Sequence, residues 1–493
     1  MYNQGSIMKK GDHPMENRAE FIQRAKDWIA AHQEEIIAEL QGFAQIRSVS
    51  RADLAQPGMP FGPECGKMLD HALTRAADMG FTPVNHEGYC GEAVLGDIDN
   101  AIGVVAHLDV VPEGDKWVYP PYAATRVEDD FLVGRGVSDN KGPAVMTLYL
   151  MKMFREMNYP LKHGIRLVFG VSEETSMADM HYFSEHCRMP VVSLIPDAAY
   201  PVNYAQKGSM GAHVTIPMGD DIVQFYGGEA DNMVPPHCRA ILKQDVETVR
   251  AAFAAIGASE ADFLFSACDE GTLIQAVGKA AHAARPENGR SAIYMLANAL
   301  KRSGLVFGQS LKAMVSVEEM CSDYYGATAH IAMEDEVTGK TTMVMGVAKT
   351  TEDRKILLHM DCRLSIATDL TKVVKDYTDY ANSIGFDVIE IHTTKPFYMA
   401  QDDPRVVALM SLYKEITGDD SPAYTMGGGT YSRCLENAIT FGPGMPFKEP
   451  KRPQSIPEDH GGAHAPDEFI YLPDLFETMA IYATAIAELD QIV

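Results

Sequence analysis

The sequence predicts an α/β fold: a three-layer domain with a mixed, mostly parallel sheet, interrupted by a second, inserted α/β domain. Short, nearly continuous apolar runs rich in β-branched residues, AIGVVAH (101–107), GIRLVFGV (164–171) and VVSLIP (191–196), suit strands covered on both faces. Helical patterns alternate with them, as layered α/β domains require. Between about 208 and 397 strand candidates recur in a different rhythm, before long helices return near the C-terminus. A chain of 493 residues is also too long for one ordinary core.

In chain order, RAEFIQRAKDWIAAHQEEIIAELQGFAQI, from about residue 18, places apolar residues at helical spacing. GPAVMTLYLMKMFREM opens on Gly142 and Pro143, good residues for a helix start, and continues as a helix. The middle offers strands such as HVTIPM and KILLHMDCRLS and two helical stretches, SAIYMLANALKRSG and LTKVVKDYTDYANSIG. DDPRVVALMSLYKEITG and YLPDLFETMAIYATAIAELDQIV then read as amphipathic helices. The expected division is one domain from 1–207 and 398–493, with 208–397 inserted.

Composition excludes several functions. Hydrophobic residues make up 46% and charged residues 22%, as in a soluble globular protein. With 42 basic and 68 acidic residues the formal charge is −26, which repels polyphosphate and anionic membrane surfaces. Nucleic acid and membrane are therefore not expected as partners. Eight cysteines, none in a close pair, read as reduced thiols, not a disulfide framework or a Cys zinc site. The opening MYNQGSIMKKGDHPMENRAEF lacks the apolar core of a signal peptide, and no run reaches membrane-spanning length. A cytoplasmic protein is expected.

The chemistry collects at the ends of the predicted strands, where open α/β sheets form their ligand crevice. AHLDVVPEG brings His107 and Asp109, GRGVSDNKGP brings Asp139, and LIPDAAYPV brings Asp197. GIRLVFGVSEETSM ends on two adjacent carboxylates, Glu173 and Glu174; unpaired, they must either lie at a solvated loop edge or meet a cation. The Gly-rich GGAHAPDE adds His464. Any one of these is a weak signal, since a single His at a strand end is more often structural than a ligand. Together, two imidazoles and several carboxylates suit first-row divalent ions. Asp109 stands two residues after His107, on the same side of an extended chain, and is expected to accept the second ring N–H of that histidine. MGGGTYSR (426–433) lacks the GK[ST] ending of a phosphate loop, so Gly428, Gly429 and Thr430 read as exposed main-chain donors for a carboxylate.

At this point the sequence resembles the di-metal aminoacyl-hydrolases, a family that includes aminoacylase, carnosine dipeptidases and succinyl-diaminopimelate desuccinylase, and most of all its PepV-like dipeptidases. The segments that carry the resemblance are HLDVVPEGDKW, GRGVSDNKGP, SEET, PDAAYPV, NMVPP, GKAAHAARPENG, DCRLS, GGGTYSR and GAHAPDE, in family order from about residue 20 to the end. The resemblance implies a metalloprotease of the dipeptidase class, hydrolysing the amide bond of small peptides with a free amino terminus. It implies two divalent ions, Zn2+ with Mn2+ or Co2+ as alternatives, bridged by Asp139, with His107 and Asp197 on one and Glu174 and His464 on the other. Glu173 would be the general base and Asp109 the partner of the His107 ring. His282, in an inserted lid, would stabilise the oxyanion. Asn232 and Arg363 would bind the substrate backbone and its terminal carboxylate. The family pattern also implies a cis peptide between Asp139 and Asn140, and the long insert a monomer. Ala465 after His464, Ala283-Ala284 after His282 and the missing proline in DCRLS depart from the pattern and bear on the preferred peptide. Two other functions are weighed: an N-acyl-amino-acid or succinyl-diaminopimelate deacylase, and a non-catalytic metal- or peptide-binding protein of the same fold.

Overall fold

The computed structural model describes residues 17–493 and divides into two units: 17–203 with 400–423 and 430–493, and 204–399 with 424–429. Most of the opening segment read above for a signal peptide lies outside the described residues. No helix among them is long and apolar enough to cross a membrane, and all eight cysteines are free.

The first unit is built on a mixed sheet. Its four central strands run parallel, in the order Gly164–Gly170, Ala101–His107, Val192–Ile195, Ala438–Phe441. Outside this centre, Pro443–Gly444 also pairs parallel with Ala198–Ala199, in a separate two-stranded sheet. Cys90–Leu95 adds antiparallel to Gly164–Gly170 on one side, and Thr82–His86 pairs antiparallel with it in turn, because the turn between those two strands is too short for a crossover. On the other side Val202 and Asn203 pair antiparallel with Phe441 and Thr440. Every residue of Ala101–His107 and Gly164–Gly170 is buried, as their apolar sequences require. Val105, Val168 and Ile195 pack with Met180, Phe183 and Tyr431, while their neighbours Val104, Leu167 and Leu194, pointing the other way, are buried too. The helix Lys141–Glu156 packs on Ala101–His107 and Gly164–Gly170 and, in turn, against Arg18–Ala44 and Leu472–Ile492. This is the expected three-layer arrangement, and it aims the ends of the central strands at one region.

The second unit is an eight-stranded antiparallel sheet. Helices Val246–Ala255, Ala292–Ser303, Gly308–Met320 and Leu370–Ser383 share one core with its strands. Two of these four were not expected from the sequence. Val246–Ala255 buries only Val249 and Phe253, and Gly308–Met320 starts without a capping side chain, so neither shows a strong helical signature.

Candidate metal centre

His107 ends its strand fully buried, and two hydrogen bonds fix its ring. Nδ1 lies 2.9 Å from the carbonyl oxygen of Asp109, and Nε2 lies 2.9 Å from Asp139 Oδ1, with Asp197 Oδ1 at 3.7 Å. Asp139 turns its other oxygen to His464 Nε2, 3.3 Å away, and that nitrogen is 3.0 Å from Glu174 Oε2. Asp139 is thus shared by two compact groups, His107/Asp139/Asp197 and Asp139/Glu174/His464. Within each, one donor atom per residue lies within 4.8 Å of the others. The Asp139–Asn140 peptide is cis, and Asn140 Nδ2 donates to Pro196 O and to Asp197 Oδ1 at 2.7 and 3.1 Å.

Asp109 departs from expectation. Its main-chain carbonyl, not its carboxylate, takes the closer contact with the His107 ring; the carboxylate stands 3.5 Å off. The carboxylate is engaged elsewhere, accepting the Glu173 N–H on Oδ1 at 3.0 Å and the Glu174 N–H on Oδ2 at 3.1 Å. One side chain therefore holds both glutamates in a turn. Gly170 just before them is needed for space: a Cβ there would meet the Tyr431 hydroxyl at 2.0 Å, and that hydroxyl donates to the buried Asp179, which also accepts the N–H groups of Val171 and Ser172.

Other supports left no obvious trace in the sequence. Buried Glu468 accepts the N–H groups of Gly136, Ser138 and Asp139 and a guanidinium N–H of Arg135, all at 2.8–3.0 Å. Asp467 accepts from Val118 and Tyr119 at 2.9–3.0 Å, and from His460. Two acids directly after the Gly-rich His464 loop were the available signal.

The field at this place is strongly negative. Burial pushes the Glu173 carboxyl well up, and the charges of Asp197, Glu174 and Asp109 add to it; its carboxylate makes no hydrogen bond among the described residues. Burial likewise raises Glu174 and Asp197. Hydrogen bonds with Asp139 and Glu174 push His464 up to about 10. Burial would lower His107, but its contacts with Asp109, Asp139 and Asp197 raise it well above the usual imidazole range. Burial and the mutual repulsion of the carboxylates thus raise Glu173, Glu174 and Asp197, while the histidines hold Asp139 below its ordinary value against its own burial. A cation relieves that repulsion, and the donors are those that first-row divalent ions take. The residues fit two such ions sharing Asp139.

The remaining candidates fall in two places. Thr430 belongs to the first unit, and its buried hydroxyl is hydrogen-bonded to Thr440 and Ser432. Asn232, His282, Arg363, Gly428 and Gly429 belong to the second. There Met233 pairs with His282, Ala283 N donates to Asn232 O at 2.8 Å, and Arg363 Nη1 lies 3.5 Å from Gly427 O. The Nε/Nη2 edge of Arg363 is already forked onto Asp361, at 2.7 and 2.8 Å, so only the remaining guanidinium edge is open to a carboxylate.

The profile described as Peptidase family M20/M25/M40 matches residues 103–488. The chain belongs to this family. As a peptidase of the M20 group it is a metallopeptidase, dependent on divalent metal. It is 31% identical over 465 residues to the putative dipeptidase YtjP of Bacillus subtilis, covering 92% of this chain and 97% of that one. It is 29% identical over 473 residues to the Beta-Ala-Xaa dipeptidase of Lactobacillus delbrueckii subsp. lactis, covering 94% and 98%. Among solved structures, the fold is similar to human carnosine dipeptidase 1 (TM-score 0.56, 16% identity, covering 95% of this M20 chain and 100% of that chain). It is similar also to the dipeptidase Dug1p of Saccharomyces cerevisiae (TM-score 0.57, 12% identity, covering 95% and 98%).

Proposed function

We propose that this M20 peptidase is a dipeptidase that uses two divalent ions, zinc first, to hydrolyse small peptides with a free amino terminus. The observation that carries the reading is the sharing of Asp139 by two His/carboxylate groups. His107, Asp139 and Asp197 would hold one ion, and Asp139, Glu174 and His464 the other. When bound, such a pair supplies Lewis acidity toward water and the scissile carbonyl. Glu173 is the general base in this proposal: a raised carboxyl pKa suits it to take a proton from the attacking water and return it to the leaving amine. Asp109 holds the main chain of Glu173 in place through its N–H. His282 is proposed as the donor to the oxyanion, and Asn232 and the open edge of Arg363 as binders of the peptide main chain and its carboxylate.

The test is a panel of dipeptides and N-acyl amino acids, assayed before and after chelation. We expect turnover of dipeptides, loss with the chelator, and recovery on adding Zn2+, Mn2+ or Co2+. Turnover that survives complete metal removal, or preference for acylated amino acids over every dipeptide, overturns it.

A further inference from the structure

The second unit carries another His/carboxylate group that the proposal above does not use. His213 on the strand Gly208–Pro217 and His359 on the strand Lys355–Leu364 are direct cross-strand partners. They stand on the face opposite the core, since their neighbours Ala212, Val214, Leu358 and Met360 all belong to it. The rings stack, with centroids 4.1 Å apart. Asp231 brings a carboxylate oxygen to 2.9 Å from His359 Nδ1, and Glu390, beside His213 on the next strand, stands 3.4 Å from His213 Nδ1. One donor atom each from His213, Asp231 and His359 lies within 4.8 Å of the others, the same compactness as the two groups around Asp139.

The fold places Asp231 there by a close main-chain approach. The strand Thr342–Thr350 bulges between Met345 and Val347, and a Cβ on the intervening Gly346 would meet Asp231 O at 2.1 Å. A Cβ on Gly228, at φ +76°, would meet Gly346 O at 1.8 Å. Only glycine at both positions lets the 228–231 loop lie directly on the sheet, with its carboxylate against the histidine pair. The chain then runs on through Asn232 and Met233, the partners of Ala283 and His282.

We propose that His213, His359 and Asp231 bind a divalent transition-metal ion, distinct from the Asp139 centre, with Glu390 in reach as a fourth donor. Two imidazoles and a carboxylate suit zinc, nickel or copper; calcium and magnesium take oxygen sets. Tetrahedral zinc holds its donor atoms about 3.4 Å apart and in the plane of each imidazole, so the two rings, now tilted by 30°, must turn out of their stack to take the ion. A bound ion ties the loop to two strands and stiffens the segment that leads into Asn232.

The test is zinc stoichiometry of the full chain, by equilibrium dialysis and elemental analysis, in wild type, His359→Ala and Asp231→Asn, with hydrogen exchange of the 228–233 segment with and without zinc. We expect one zinc fewer in each variant, and zinc-dependent protection of that segment in wild type only. Because all three chains share the Asp139 centre, the difference reads this site whatever that centre binds. Equal zinc content in wild type and variants, or exchange at 228–233 that does not respond to zinc, overturns the proposal. If His359→Ala does not fold, His213→Gln carries the same comparison.

Discussion

Replacing Asp109 by Asn tests whether its carboxylate acts through the glutamates or through the histidine. In the structure each carboxylate oxygen accepts one N–H, from Glu173 at 3.0 Å and from Glu174 at 3.1 Å. Hydrogen bonds to a charged acceptor contribute roughly 1.5–3 kcal/mol each, and neutral ones about 0.5–1.5. The amide of Asn keeps one oxygen and turns an NH2 toward the other N–H, so one bond is lost and the second weakened, about 3 kcal/mol in all. If this loss falls on the local turn, its amides should exchange roughly 100-fold faster, since about 1.4 kcal/mol corresponds to a factor of ten. The His107 ring, held by the main-chain carbonyl of residue 109, should stay in place. The assay is hydrogen exchange followed by mass spectrometry on a peptide spanning 171–177, together with kcat/KM on a dipeptide. We expect faster exchange and a kcat/KM lower by about the same factor. Wild-type exchange at 171–177 in an Asp109→Asn variant that has lost activity would refute the reasoning, because the carboxylate would then act elsewhere.

Glu173→Gln should lower kcat by roughly 10²–10⁴-fold, the usual contribution of a general base, with metal content by elemental analysis unchanged. Glu468→Gln should destabilise the first unit by about 3–5 kcal/mol in urea unfolding and weaken zinc binding, because a buried charged acceptor of three N–H groups and Arg135 is removed. Buried Glu92, between His86 and Arg166, gives the pH dependence. Burial alone would raise its pKa, but the hydrogen bonds from His86 and Arg166 outweigh it and hold the carboxyl below its ordinary 4.5. Its stabilisation is therefore present above about pH 4.5 and lost as pH falls through the depressed folded value. Glu92→Gln should lower stability at pH 7 and flatten its fall in acid, as read by urea midpoints across pH 3–7.

The central strands were legible because burial on both faces leaves an unbroken apolar run, and the side chains at their ends could be listed before any geometry was known. Two helices of the inserted segment were not: Val246–Ala255 buries two residues, too few to make a stripe in a sequence, and Gly308–Met320 starts without a capping side chain. At the candidate metal centre, residue type and order along the chain pointed to His107, Asp139, Glu173, Glu174, Asp197 and His464. The partners of Glu468 and Asp179 did not show. They accept main-chain N–H groups, which every residue has, and for Glu468 these lie more than 300 positions away in sequence. The Asp361–Arg363 pair was legible in principle: residues two apart on one strand share a face, and an acid and a guanidinium so placed meet.

Asp109, Asp179, Asp467 and Glu468 answer one physical problem. Consecutive residues on a strand face opposite ways, so a chain that must present Glu173 and Glu174 together has to leave the sheet, and its N–H groups then need acceptors. A carboxylate accepts two or three at once in a space where no further strand could fit. Asp109 serves the Glu173–Glu174 turn, Asp179 the residues just before it, and Glu468 the loop that carries Asp139. Each adds negative charge behind a cluster that is already acidic, and Asp109 contributes directly to the raised carboxyl of Glu173. The groups that shape the loops therefore also set the potential that favours cations. A neutral replacement at a supporting position should weaken cation binding even where it touches no ligand.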